Sequence, residues 1–131
     1  MLRYTPPLAV PNSAPWLRGV IGISGRLLPV LDLRERLGLP TSAPDGWGRI
    51  VVLNGASGRI GFVVDGVEDV AAVDRASVEP APEVYRGLAR AFVQGILRRG
   101  TQLYILLDAD HLVTSHERLA LRAAVEELQH G

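Results

Sequence analysis

The residues best placed for catalysis are Asp108 and Asp110, in an Asp-Ala-Asp motif directly behind the apolar run Leu103 to Leu107. Two carboxylates at that spacing after a strand can act as nucleophile and acid, as in haloacid-dehalogenase-like phosphatases. That chemistry also needs a downstream Lys to hold the phosphate and further acids for magnesium. All 14 basic residues here are Arg. An aspartate-based phosphohydrolase is therefore the enzyme alternative, set against the plainer reading that Asp108 and Asp110 end a strand and cap a turn. His111 and His116 stand five apart, off the i, i+4 spacing that brings two ligands to one helical face, and His130 falls in the tail. Gly19, Gly22 and Gly25 recur at every third position, yet no helix start follows to offer amides to a phosphate. No metal and no cofactor is expected.

Composition narrows the field further. Cysteine is absent, which removes disulfides, thiolate metal sites and cysteine nucleophiles. Without Lys there is no Schiff base, no Walker-type phosphate loop and no lysine general base. The formal net charge is +0 and the Arg residues are scattered, so the chain lacks the basic footprint of a nucleic-acid binder. A small barrel that reads single strands is the third alternative. A length of 131 residues fits one domain, 1–131. The apolar runs are too short to span a bilayer, and the N-terminus does not read as a signal peptide, so a cytoplasmic location is expected.

The elements that must carry any site are mostly strands. Tyr4 to Pro15 is a Pro-rich extended lead-in. Leu17 to Ser24 and Arg26 to Asp32 read as a hairpin turning at Gly25, with Pro29 marking its second strand as an edge or a bulge. Asp32 and Glu35 offer a capping box for one helical turn that Gly38 and Pro40 end. Thr41 to Gly48 reads as a linker. The runs 49–54 and 59–65 flank Gly55-Ala-Ser-Gly58, a hairpin with a four-residue loop. Val67 to Val73 and Ala91 to Arg98 are further strand candidates, the latter pairing with Thr101 to Asp108. Thr114 and Glu117 form a capping box for an amphipathic helix to about Gln129, with Leu121, Val125 and Leu128 on one stripe. Many short strands with Gly and Pro turns predict small barrels.

Three stretches share a family likeness: Pro15-Trp-Leu-Arg-Gly-Val-Ile with Gly25-Arg-Leu-Leu-Pro-Val-Leu-Asp-Leu, then Ile60-Gly-Phe-Val-Val-Asp-Gly-Val, then Leu103-Tyr-Ile-Leu-Leu-Asp. In this order they resemble the CheW-like domain of chemotaxis adaptors. The resemblance implies a mainly β fold of two small five-stranded SH3-like barrels with a C-terminal helix. Approximate subdomains are 1–43, 49–113 and 114–129. It implies an adaptor that couples the cytoplasmic tip of methyl-accepting chemoreceptors to the regulatory domain of a CheA-type histidine kinase, without catalysis. A degenerate module with a structural role in a pilus-type chemosensory system is the variant of that reading.

The resemblance places partner contacts at Trp16, Gly19, Ser24, Gly25 and Arg26 in the first barrel and at Val84 and Tyr85 in the second. Trp16 and Gly19 also have packing explanations, and Trp47 is expected to be partly exposed in its Gly-rich linker. Family members usually read Asn-Leu-Arg-Gly where this chain has Gly22-Ile-Ser-Gly25, so Ser24 stands at the Arg expected to support receptor binding. Val84 stands where an aromatic often follows. Gly19→Asp is expected to weaken partner capture without unfolding the domain. The family also begins with two strands ahead of the lead-in. Their lack predicts an incomplete first barrel with unpaired backbone at its edge, a start placed upstream being the favoured explanation over a strand donated by another protein or a degenerate domain.

Overall fold

A computed structural model of the chain describes residues 1–10, 17–40, 48–55, 58–80 and 92–130. Its first sheet has five strands in the order β1-β4-β5-β3-β2, where β1 is Leu2–Arg3, β2 Leu17–Ile23, β3 Arg26–Asp32, β4 Arg49–Gly55 and β5 Gly58–Val64. Helix α1, Leu33–Arg36, follows β3. A second sheet joins β6, Val78–Glu79, to β7, Val93–Arg99, and β8, Gln102–Leu107, in that order. Helix α2, Ser115–His130, completes the described chain.

Two cores explain why the strands read as nearly continuous apolar runs. Val30, Ile50 and Val63 fill the inside of the first sheet, with Leu2, Tyr4, Ile21 and Val52 packed against them. Their strand neighbours Leu31 and Phe62 point the other way, into a cluster with Leu17, Leu37, Leu112, Val113 and Leu121 that Phe92 and Leu107 of the second hairpin also join. Period-two alternation sends successive side chains to opposite faces, and here both faces are covered. Helix α2 docks its stripe through Leu121 on that outer cluster. Leu128, placed on the stripe by sequence spacing, is 37% exposed.

The N-terminal segment does more than lead in. Leu2 and Arg3 pair with Ile50 and Arg49 of β4, and Tyr4 N donates to Gly48 O at 3.2 Å. Leu8 then forms a reciprocal pair of 2.9 Å hydrogen bonds with Val20 of β2. Leu2 to Leu8 thus bridges the two outer strands and draws the open sheet into a ring. The closure is partial. Beyond Ile50 on β4 and beyond Val20 on β2, the outer edges carry no strand partner among the described residues.

Several expectations need correction. Pro29 does not mark an edge strand, because β3 lies between β2 and β5. The parallel pairing to β5 begins only at Val30, however, so the residue without an N–H sits where β3 has a partner on one side alone. The β4–β5 pairing extends through Gly55 and Gly58, which face each other, so both glycines belong to the ladder and not to a four-residue loop. Val67 to Val73 is no strand: it pairs with nothing and Val70 is 83% exposed. Apolar residues there recur without a neighbouring strand to bury them.

Both capping sites are real. Asp32 accepts from Arg34 N and Glu35 N, and Leu39 N closes the end of α1 on Arg34 O at 2.8 Å, with Gly38 at φ 74. Glu35 turns to Arg18 instead of completing a box. At α2 the box is complete: Glu117 N donates to Thr114 Oγ1 at 3.1 Å and Thr114 N to Glu117 Oε1 at 2.9 Å.

One regularity ties the two sheets together. Leu17-Arg18-Gly19 leads to Leu31-Asp32 in the first hairpin as Val93-Gln94-Gly95 leads to Leu107-Asp108 in the second. Each hairpin has a register shift at its glycine, each glycine is crowded by a crossing strand, and each aspartate caps the turn that follows. Leu8 crosses Gly19 as Glu79 crosses Gly95. The chain repeats one hairpin design in both halves.

Candidate functional site

The β2–β3 hairpin carries most of the residues assigned to partner contact. Its tip is a two-residue turn with Ser24 at φ 51 and Gly25 at φ 77, flanked by the pair Ile23 and Arg26. Two successive positive φ values match the right-handed twist of the strands, the geometry of a type I′ turn. Ser24 is the sole non-glycine residue with positive φ among the described residues. Ser24, Gly25 and Arg26 are all exposed. The hairpin therefore projects a guanidinium and a hydroxyl from a stiff turn, a shape suited to meeting another macromolecule.

Gly19 is a different kind of residue. It is buried at φ 149, and a Cβ built there would lie 2.3 Å from Leu8 O and 3.0 Å from Pro7 Cβ. Its role is to let the N-terminal segment cross β2. Gly19→Asp therefore cannot spare the fold as the sequence suggested, because any side chain displaces Leu8. Trp16, Trp47, Val84 and Tyr85 lie outside the described residues.

Beneath the hairpin sits a charge network that sequence reasoning saw only as a helix cap. Asp32 and Arg34 are buried, 3% and 6% exposed. Arg34 Nε and Nη2 grip the two oxygens of Asp32 at 3.1 and 2.9 Å, while its Nη1 reaches Asp65 at 2.8 Å. Arg18 on β2 adds a contact to Asp32 at 3.4 Å and to Glu35 at 3.5 Å. Burial pushes the Asp32 carboxyl up, but the Arg34 hydrogen bonds and charge with two backbone N–H groups outweigh it and hold the acid below its usual range. The network fixes α1 and the base of the hairpin as one piece.

A second clamp joins the halves. Arg36 of α1 makes a two-pronged contact with Glu117 of α2, donates from Nε to Leu112 O at 2.8 Å and lies 5.4 Å from the Phe92 ring centre. Burial raises the Glu117 acid, yet hydrogen bonds from Thr114 and Arg36 bring it below its ordinary value. These partners are far apart in the chain, and nothing local signals them.

The motifs that suggested catalysis are engaged structurally. Asp108 Oδ1 accepts from Asp110 N at 3.1 Å, and its Oδ2 lies 2.7 Å from His111 Nδ1, which makes Asp108 a turn cap. Among the described residues no cluster of His, Asp and Glu is arranged to hold a metal ion, and no helix is long and apolar enough to cross a membrane.

Two small β sheets, a docked terminal helix and a projecting hairpin define a binding domain of the scaffold class. The CheW-like domain profile matches residues 1–117. The chain belongs to the CheW-like domain family. It is 32% identical over 114 residues to the probable chemotaxis protein CheW of Rhizobium etli, covering 87% of this chain and 74% of that protein. The chemotaxis protein CheW of Bacillus subtilis is 31% identical over 108 residues, covering 82% and 69%. Among solved structures, the scaffolding protein TtCheW from Thermoanaerobacter tengcongensis matches with a TM-score of 0.76 at 26% identity, over 88% of this chain and 75% of that one. The chain is a chemotaxis-type adaptor, not an enzyme, and its fold is the mainly β architecture of that neighbour.

Proposed function

We infer that this chain couples the cytoplasmic tips of chemoreceptors to the regulatory domain of a CheA-type histidine kinase, acting in the cytoplasm by binding alone. The observation that carries the reading is the match to chemotaxis CheW proteins over most of the chain, on a fold shared with a solved scaffold of that name. An adaptor of this kind changes kinase output through unequal affinity for alternative kinase or receptor conformations. The exposed hairpin tip, Ser24 to Arg26, is the part of the first sheet we assign to that contact, with Trp16, Val84 and Tyr85 as further contact residues.

Arg26 offers a clean test, since its side chain is exposed and makes no contact the fold depends on. Arg26→Glu is expected to weaken capture of the receptor tip or the kinase regulatory domain about tenfold, with an unchanged melting temperature. That corresponds to about 1.4 kcal/mol of binding energy. Unchanged affinity for both would remove the hairpin tip from the interface.

A further inference from the structure

A groove of about 290 Å³ runs between the flank of α2 and the tips of the β2–β3 and β4–β5 hairpins. From α2, Arg118, Leu121, Arg122, Val125, Glu126 and Gln129 line it, positions related by spacings of three and four that fall along one side of a helix. At 1.5 Å per residue that wall is about 16 Å long. Leu28, Pro29 and Ile60 form the facing apolar wall. A wall of that length suits a segment lying along α2, where a compact ligand would leave most of the wall uncovered.

The charge of the groove is lopsided. Arg26, Arg59, Arg118 and Arg122 border it, against one carboxylate, Glu126. Among the described residues Arg26, Arg59 and Arg122 have no ion-pair partner. Arg118 donates from Nη2 to Asp110 O at 2.9 Å, but its Nε is buried and has no hydrogen-bond partner. A buried charged donor left unpaired is costly, and it adds to the unneutralised positive charge around the trough. Four guanidiniums around an apolar trough select a ligand with both carboxylates and aliphatic side chains.

We propose that this groove binds an acidic, leucine-bearing segment of a partner protein in extended form, its carboxylates on the four arginines and its aliphatic side chains against Leu28, Ile60 and Val125. The inference does not require the kinase or the receptor to be that partner, and it adds a docking surface beside the hairpin tip. Arg is the fitting residue for it, because its planar fork meets a carboxylate through two parallel hydrogen bonds.

The probe is a fluorescein-labelled peptide, Leu-Glu-Asp-Leu-Glu-Leu, followed by fluorescence anisotropy with the full chain. Control peptides carry Lys in place of each acid, or Ser in place of each Leu. The acidic peptide is expected to bind at least tenfold more tightly than either control, more weakly as salt rises. The double substitution Arg59→Glu and Arg122→Glu, on exposed side chains, should reduce its affinity at least tenfold with an unaltered melting curve. Amide shift changes in an NMR titration should centre on 118–129 and the hairpin tips. Equal binding of the Lys or Ser peptide, full affinity in the double variant, or tighter binding of a single-stranded oligonucleotide or of anionic lipid vesicles would each overturn the proposal. None of these readouts uses receptor or kinase, so failure here leaves the coupling function standing.

Discussion

Replacing Gly19 with Ala is expected to lower the unfolding free energy by roughly 3 kcal/mol, whereas Gly22→Ala three positions along the same strand should be neutral or slightly stabilising. The contrast is geometric. At Gly19 a methyl group would sit 2.3 Å from Leu8 O and 2.8 Å from Leu8 C, both backbone atoms that no rotamer change can move, and φ is 149. At Gly22 nothing lies within 4 Å and the backbone conformation is an ordinary one. Relief at Gly19 requires Leu8 to leave Val20, which breaks the reciprocal hydrogen bonds closing the first sheet and uncovers Val20, only 2% exposed in the intact fold. Urea titrations of both variants measure the difference. Equal stability of the two would mean that the N-terminal segment does not cross β2 as described.

Breaking the buried ion pair beneath the hairpin should cost more. Arg34→Met leaves the Asp32 carboxylate buried with only Arg18 and two amides for company, a loss of about 3–5 kcal/mol. The double variant Asp32→Asn with Arg34→Met should recover part of that loss, because no unpaired charge remains. The acid limb of stability carries the same information. Despite burial, which raises both, the pKa values of Asp32 and Glu117 are held below their ordinary values, by Arg34 in one case and by Thr114 and Arg36 in the other. A depressed folded-state pKa stabilises above the unfolded pKa, and that contribution is lost as pH falls through the folded one. The native chain should therefore hold its stability at neutral pH and lose it progressively below about pH 4. In Arg34→Met the burial of Asp32 is no longer outweighed, so the Asp32 share of that acid loss should shrink or reverse. An acid limb identical to the native one would contradict the pairing.

Local chemistry made much of this fold readable. The hairpin around Ser24 and Gly25, the strands on either side of Ala56 and Ser57, and the Thr114–Glu117 cap all depend on residues within a few positions of one another. The correspondence of Leu17-Arg18-Gly19 to Val93-Gln94-Gly95 was not legible, since the triplets share one residue and the crowding of each glycine comes from a strand that crosses it. What stayed hidden depends on distant partners. A pairing as short as Leu2–Arg3 has no period to detect, and the crossing that makes Gly19 indispensable comes from Leu8, not from β2 itself. Arg36 and Glu117 meet across most of the chain, and Glu35 beside Arg36 offers a local partner that hides the distant one. Val67 to Val73 has the apolar content of a strand, but no neighbouring strand among the described residues covers it and Val70 is left exposed. The four arginines around the α2 groove come from two hairpins and a helix, so only the folded chain brings them together.

Coupling requires this domain to join two proteins at once. Sedimentation of membranes or nanodiscs bearing the receptor's cytoplasmic tip, with the kinase regulatory domain in solution, tests it directly. The kinase domain should pellet with the receptor only when this chain is added, in proportion to the chain until the sites fill. Pelleting that is the same with and without the chain, or a chain that remains in the supernatant with either protein, would contradict the account.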